Sequence, residues 1–233
     1  MTKQLHLTVM LLALASTASA GTISGAVRAE SILGTTNDAA CGSAYDSRKF
    51  KFAERINWAE VHDFVVYVEG PVGTNPLAPS KPVQVITAKQ VAQKKAMFSP
   101  HVLPVMAGTT VEWPNYDEIL HNVFSISEIK NFDLELYKGN PPDKRVTFDK
   151  PGRVDVFCSI HTAMSCIVLV LENPYFAATD GHGRYTIPNV PAGNYKLKAW
   201  YERLPAQVKE ITVPESGEVK LDFVLGVKNL PKI

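Results

Sequence analysis

Four soft or borderline donor side chains lie close together along this sequence. Cys158, His161 and Met164 share one short stretch, Val156-Phe157-Cys158-Ser159-Ile160-His161-Thr162-Ala163-Met164, at Cys-x-x-His-x-x-Met spacing. His121, in His121-Asn122-Val123, stands upstream of it. A thiolate, two imidazoles and a thioether together point to copper. A trigonal set of two histidines and a cysteine with a weak axial methionine exchanges single electrons, with a potential tuned by the axial ligand and by the groups around sulfur. Zinc more often takes four strong ligands, and no Cys-x-x-Cys pair supplies them here.

Each of these residues has a plainer reading when taken alone. A cysteine is often a buried structural thiol, and methionine is an adaptable core filler. The shared spacing is what raises them to a metal set. Asn122 is placed to bond to the Cys158-Ser159 turn and hold the two ligand segments together. His101, in Ser99-Pro100-His101-Val102, is a candidate neighbour of the metal without a spacing argument of its own. His182 sits in a glycine-flanked turn and is expected at the surface, and His62 and His6 carry no argument. No Ser-His-Asp or paired-carboxylate spacing suggests hydrolysis, and the glycine clusters read as turns with no phosphate-binding loop among them. The chain is read as a carrier and not as an enzyme, with no catalytic residues.

The elements that must position these ligands read as β-strands. Short alternating runs occur at Thr22 to Arg28, Asp63 to Glu69, Val83 to Thr87, Ala96 to Met106, Thr110 to Trp113 and His121 to Ser127. Further runs follow at Arg145 to Phe148, Arg153 to Cys158, Ser165 to Leu171, Arg184 to Ile187, Asn194 to Trp200, Val208 to Val213 and Glu218 to Leu225. Turn chemistry separates them at Ala107-Gly108, Pro114-Asn115, Pro151-Gly152, Asp180-Gly181-His182-Gly183 and Pro191-Ala192-Gly193-Asn194. Many short strands with frequent turns predict an all-β protein, a sandwich or a barrel. Ile167 to Leu171 is apolar throughout, as a strand buried on both faces would be. Phe50 to Val61 fits helix or strand equally.

With 233 residues, 45% hydrophobic and 20% charged, the chain is an ordinary globular protein of one or two domains. Its first twenty residues read separately. Lys3 gives a positive start, Leu5 to Ala15 is apolar, and Ala18-Ser19-Ala20 is a small-residue cleavage site. The apolar run is too short to span a membrane. Residues 1–20 are therefore expected to be a signal peptide cleaved after Ala20, which places the protein in the periplasm. The formal charge is +1, and Lys3 accounts for it. A neutral mature chain makes no electrostatic case for nucleic acid or anionic lipid. Of three cysteines, a metal-bound Cys158 would leave Cys41 and Cys166 as a bridge or as two free thiols.

The span from about Ala96 to Leu171 resembles the cupredoxins, the plastocyanin, pseudoazurin and amicyanin group of blue-copper proteins. The matching residues are Gly108-Thr109-Thr110-Val111-Glu112-Trp113-Pro114-Asn115, His121-Asn122-Val123, Phe148, Pro151-Gly152 and the Cys158-His161-Met164 loop. The short gap between His161 and Met164 is more similar to amicyanin than to plastocyanin. The resemblance implies a Greek-key sandwich holding one type 1 copper ion, with His121, Cys158 and His161 equatorial and Met164 axial. It also implies a solvent-facing His161 edge that docks redox partner proteins.

The flanks resemble a second family, the carboxypeptidase regulatory-like or transthyretin-like β-sandwich. The similarity rests on Gly21 to Val27, Phe64 to Glu69, Thr179-Asp180-Gly181-His182-Gly183-Arg184-Tyr185 and Pro188-Asn189-Val190-Pro191-Ala192-Gly193-Asn194-Tyr195. In that family the opening strands directly precede the Thr-Asp-x-x-Gly-x-Tyr strand, whereas here a long stretch intervenes. The expected organisation is a discontinuous regulatory-like sandwich, residues 21–72 and 173–233, with a cupredoxin domain, residues 73–172, inserted in it. The combination is similar to exported proteins labelled methylamine utilisation protein. Two other functions fit the same residues: a periplasmic copper chaperone or store, and a metal-free structural or interaction module.

Overall fold

The computed structural model describes residues 20–30, 61–72 and 89–226. Among these residues there is no helix, and the chain runs through seventeen strands. The first two are β1 (Ala20–Ala29) and β2 (Val65–Val68). Next come β3 (Ala92–Gln93), β4 (Phe98–Ser99), β5 (Val102–Met106), β6 (Thr109–Glu112), β7 (His121–Ser127) and β8 (Lys130–Tyr137). They are followed by β9 (Arg145–Phe148), β10 (Gly152–Phe157), β11 (Ser165–Leu171) and β12 (Phe176–Ala178). The last are β13 (Arg184–Pro191), β14 (Gly193–Tyr201), β15 (Leu204–Val213), β16 (Glu218–Lys220) and β17 (Phe223–Leu225).

Strands β5, β11, β10, β7 and β8 form one five-stranded sheet in that order, accompanied by the β6–β9 and β3–β4 ladders. Their inward residues, among them Val105, Trp113, Val123, Phe148, Val156 and Val168, form one apolar core. A second sandwich is made of the sheet β13-β1-β16, with β17 also on β1, and the sheet β12-β2-β14-β15. Ile23, Phe64, Val66, Ile187, Leu197 and Phe223 fill its core. Each such side chain, fully buried, contributes about 1.5–3 kcal/mol relative to exposure.

Strand β11 is where the two sandwiches meet. Its even-numbered side chains, Cys166, Val168 and Val170, enter the first core. Its odd-numbered ones, Ile167, Leu169 and Leu171, pack with Val65, Val102 and Phe176, with Tyr67 and Trp200 against them. A strand covered on both faces has no polar positions, which explains the unbroken apolar run.

Two glycines allow the second sandwich to close. A Cβ on Gly25 would lie 2.1 Å from the Leu221 carbonyl oxygen, at the break between β16 and β17. Gly183 has φ +74°, and a Cβ there would lie 2.2 Å from the Val27 carbonyl oxygen.

Three strand expectations are corrected, and one is Glu218 to Leu225, which is not one strand but β16 and β17. The run Ala96 to Met106 is not one strand but β4 and β5, preceded by a turn in which Lys95 and Ala96 take φ values of 56° and 52°. Asp117 accepts the N–H groups of both residues, at 2.6 and 2.9 Å, and holds that turn. Strand β8 was not expected at all. Its alternation is broken at Glu135, which has φ 58°, so that Leu136 turns outward while Tyr137 is buried. On the partner strand the β7–β8 register shifts between Asn122 and Phe124, the signature of a bulge. The expected strand Val83 to Thr87, the segment Ser31 to Glu60 and Cys41 lie outside the described residues, as does all of the leader before Ala20.

Candidate metal centre

His121 is delivered by the start of β7 and is fully buried. Cys158 follows the last residue of β10 and is also buried, and His161 stands half-buried on the loop between β10 and β11. The donor atoms of His121, Cys158 and His161 all lie within 4.8 Å of one another. His121 Nδ1 is 3.0 Å from His161 Nδ1, and Cys158 Sγ is 3.7 Å from His161 Nδ1.

The loop is shaped by its own backbone. Met164 N–H donates to the His161 carbonyl at 2.9 Å, and Cys158 N–H donates to the Met164 carbonyl at 3.2 Å. These bonds fold the Cys-x-x-His-x-x-Met segment into a compact turn and bury the Met164 side chain in the same apolar cluster as Cys158. Asn122 Oδ1 accepts the Ser159 N–H at 3.2 Å, so the residue after His121 ties β7 to the residue after Cys158.

Two carboxylates that the sequence reading did not single out stand behind these groups. Asp117 Oδ2 lies 2.8 Å from His121 Nε2. Since a carboxylate oxygen accepts, His121 carries its proton on Nε2 and keeps a lone pair on Nδ1, the atom that faces His161. The Ala96 N–H is the main cause that pulls the Asp117 carboxyl down to about 2, with the bonds from His121 and Lys95 adding to it. Asp133 Oδ1 accepts Asn122 Nδ2 at 2.6 Å and the Glu135 N–H at 2.7 Å. The bulge in β8 thus aims a carboxylate at Asn122. Spacing offers one signal for Asp117, four residues before His121; none marks Asp133.

The other candidates fall elsewhere. Cys166 is a buried free thiol whose pKa is pushed up by burial, with the charge of Asp155 adding to it. Such a thiol stays protonated and leaves the thiolate role to Cys158. His101 stands apart from the cluster, with Nδ1 3.2 Å from the Ser165 carbonyl oxygen. His182 is exposed in its turn, with its N–H donating to Asp180. Tyr116, Ile119 and Leu120 precede His121, Ile160 precedes His161, and all four are exposed.

A soft sulfur and two imidazole nitrogens converging on one small space suit copper, and the donor set fits that metal. Residues 85–171 match the family model of the copper binding proteins, plastocyanin/azurin family. Residues 167–226 match that of the carboxypeptidase regulatory-like domain. No curated protein matches the chain. Among solved structures, a point mutant of amicyanin in its reduced Cu(I) form is 26% identical, covering 36% of this chain and 82% of that one at a TM-score of 0.33. A purple cupredoxin from Nitrosopumilus maritimus is 26% identical, covering 35% of this chain and 98% of that one at a TM-score of 0.31. A copper-containing nitrite reductase from Thermus scotoductus SA-01 is 28% identical over 45% of this chain and 26% of its own, at a TM-score of 0.35. At such TM-scores the likeness carries no weight, and the assignment rests on the two family models and on the donor set.

Proposed function

We propose that this chain, a cupredoxin domain joined to a carboxypeptidase regulatory-like domain, is a periplasmic carrier that passes single electrons between redox proteins through one type 1 copper ion. His121, Cys158, His161 and Met164 would hold the ion. The convergence of the His121, Cys158 and His161 donor atoms is the observation that carries this reading. Copper bound to such a set supplies a one-electron couple between Cu(I) and Cu(II).

The protein's own residues do the rest. Asp117 fixes the tautomer and orientation of His121. Asn122, itself held by Asp133, pins the turn after Cys158. Ligands held on strand ends by such bonds move little between oxidation states, which lowers the cost of each exchange. The burial of Cys158 and Met164 excludes water, and four donors leave no position for a substrate, so the chain acts as a carrier and not as an enzyme. The exposed Tyr116, Ile119, Leu120 and Ile160 would provide the apolar edge on which a partner docks beside His161.

The regulatory-like sandwich is read as discontinuous, residues 21–72 and 173–233, with the cupredoxin domain, residues 73–172, inserted. The pairing of β1 with β13, β16 and β17, and of β2 with β12 and β14, supports this organisation. No described helix is long and apolar enough to cross a membrane. The deciding test of function is the visible spectrum after Cu(II) addition, with Cys158→Ser alongside. The expected result is an intense thiolate-to-copper charge-transfer band that the variant lacks. A colourless wild-type protein that binds no copper would overturn the proposal.

A further inference from the structure

The second sandwich reaches toward the metal-binding loop through one side chain. Glu202 lies in the turn between β14 and β15, yet its carboxylate is only 12% exposed. One of its oxygens faces Arg203 Nε at 3.2 Å and the other faces His101 Nε2 at 3.3 Å. On its far side the same imidazole places Nδ1 3.2 Å from the carbonyl oxygen of Ser165, the residue that follows Met164. The His101 carbonyl in turn accepts the Ile167 N–H at 2.8 Å. The Glu202 and Ser165 oxygens are both acceptors, so the ring bridges them when each of its nitrogens carries hydrogen, and the His101 backbone holds the start of β11 as well.

The cysteine's own strand holds the same point. Arg153 on β10 donates from Nη1 to the Glu202 carbonyl at 3.3 Å, and its guanidinium lies over the Trp200 ring at 5.9 Å. Arg153 is itself fixed by two bonds to Asp155 Oδ1, at 2.9 and 2.7 Å. Beneath these polar contacts lies the apolar seam of Ile167, Leu169, Val102 and Phe176. A carboxylate so largely removed from water is costly unless it is paired, and a seam already closed by apolar burial does not require one. Its geometry suggests what it does: it bears through one imidazole on the Ser165–Cys166 peptide, one residue beyond Met164.

We propose that His101 and Glu202 are positioning residues for the metal-binding loop, a strut by which the regulatory-like sandwich sets the placement of Met164. The proposal rests on the copper reading given above. The strut makes the position of Met164 a property of the whole chain and not of the cupredoxin sandwich alone. Because the Met164 thioether would tune the potential of such a site, loosening the strut shifts the reduction potential.

The test uses the full chain with Glu202→Gln and His101→Gln, each close in shape to the residue replaced. Arg184→Ala serves as comparison, since it removes an ion pair of the same sandwich, with Asp180 at 2.8 Å, on the sheet that does not carry Glu202. In the metal-free chain, amide hydrogen exchange at Ser165 to Ile167 is expected to quicken about tenfold in both strut variants, as loss of a hydrogen bond to a charged group would produce. In the copper-loaded chain, the ratio of the two thiolate-to-copper bands should change and the potential should shift. Arg184→Ala should alter neither. Unchanged exchange in both strut variants overturns the proposal. So does faster exchange with unchanged bands and potential, since the strut would then hold the strand and not the site. If the wild-type chain takes up no copper, the copper reading fails separately, and the exchange rates alone decide whether the strut holds the loop.

Discussion

In the first sandwich Gln93, Asn115, His121, Asn122 and Ser125 are buried alongside the apolar core, whereas the described part of the second buries only Ser24 among its strands, with Asn173 at the junction. Each buried polar group costs free energy unless it is bonded. The first sandwich bonds them to backbone and to neighbouring side chains: Gln93 Nε2 donates to the Trp113 carbonyl at 2.9 Å, and Asn115 Nδ2 to the Tyr137 carbonyl at 2.9 Å. A region that departs so often from plain apolar burial is where a site is to be sought. The second sandwich departs from the simple rule less often, and its largely buried Glu202 lies at the turn that meets the first.

The comparison is broken most readily through the cores. Trp113→Ala and Phe223→Ala each empty a fully buried aromatic position, and each should cost about 3–5 kcal/mol in denaturant unfolding of the metal-free protein. Only Trp113→Ala should also change the copper band, since Trp113 packs in the cluster that contains Cys158 and Met164. If Phe223→Ala bleaches the band equally while the protein remains folded, the division of labour fails.

A finer comparison uses two buried asparagines. Asn122→Ala should weaken copper binding about 10–100-fold in competition titration, because it releases the Ser159 turn. Asn173→Ala removes donors to the Val68 and Gly70 carbonyls and should cost about 1–3 kcal/mol in stability without changing copper affinity. The smallest effect is expected at Asp180. The Arg184 N–H is the main cause that holds its carboxyl below the usual range, and the bonds from His182 N–H and the Arg184 side chain add to it. A depressed carboxyl contributes stability that is present above the ordinary carboxylate pKa of about 4 and is lost as the pH falls below it. Acid unfolding profiles should therefore be slightly shallower for Asp180→Asn than for wild type, with copper affinity at neutral pH unchanged.

Much of this was legible in the sequence, and the omissions share a cause. His121, Cys158 and His161 could be paired on paper because three of the four donor types stand on one loop and because His-Asn opens a strand. The strand β11 announced its double burial by lacking polar residues. What failed were the places where an ordinary residue takes a left-handed backbone. Lys95 and Ala96 split the expected long strand, and Glu135 reverses the alternation of β8. None of these residue types signals positive φ. The supports of the site were hidden for the same reason: Asp117 holds the first of these turns and Asp133 is aimed by the second. Glu202 could not be found from sequence at all, since its partner His101 lies on the other sandwich.

Strand β1 carries one further consequence, for the time course of folding. Every strand that pairs with it begins at Arg184 or later, and its Ala26 N–H reaches Asp222 across a separation of 196 residues. Contacts so distant along the chain are slow to close. Emerging from its amino terminus, the chain holds β1 without any of those partners until its last strands arrive. Until β12 and β14 follow it, Ile167, Leu169 and Leu171 on β11 await Phe176 and Trp200, so a sticky strip of strand is exposed in a molecule whose metal-binding loop has already been made.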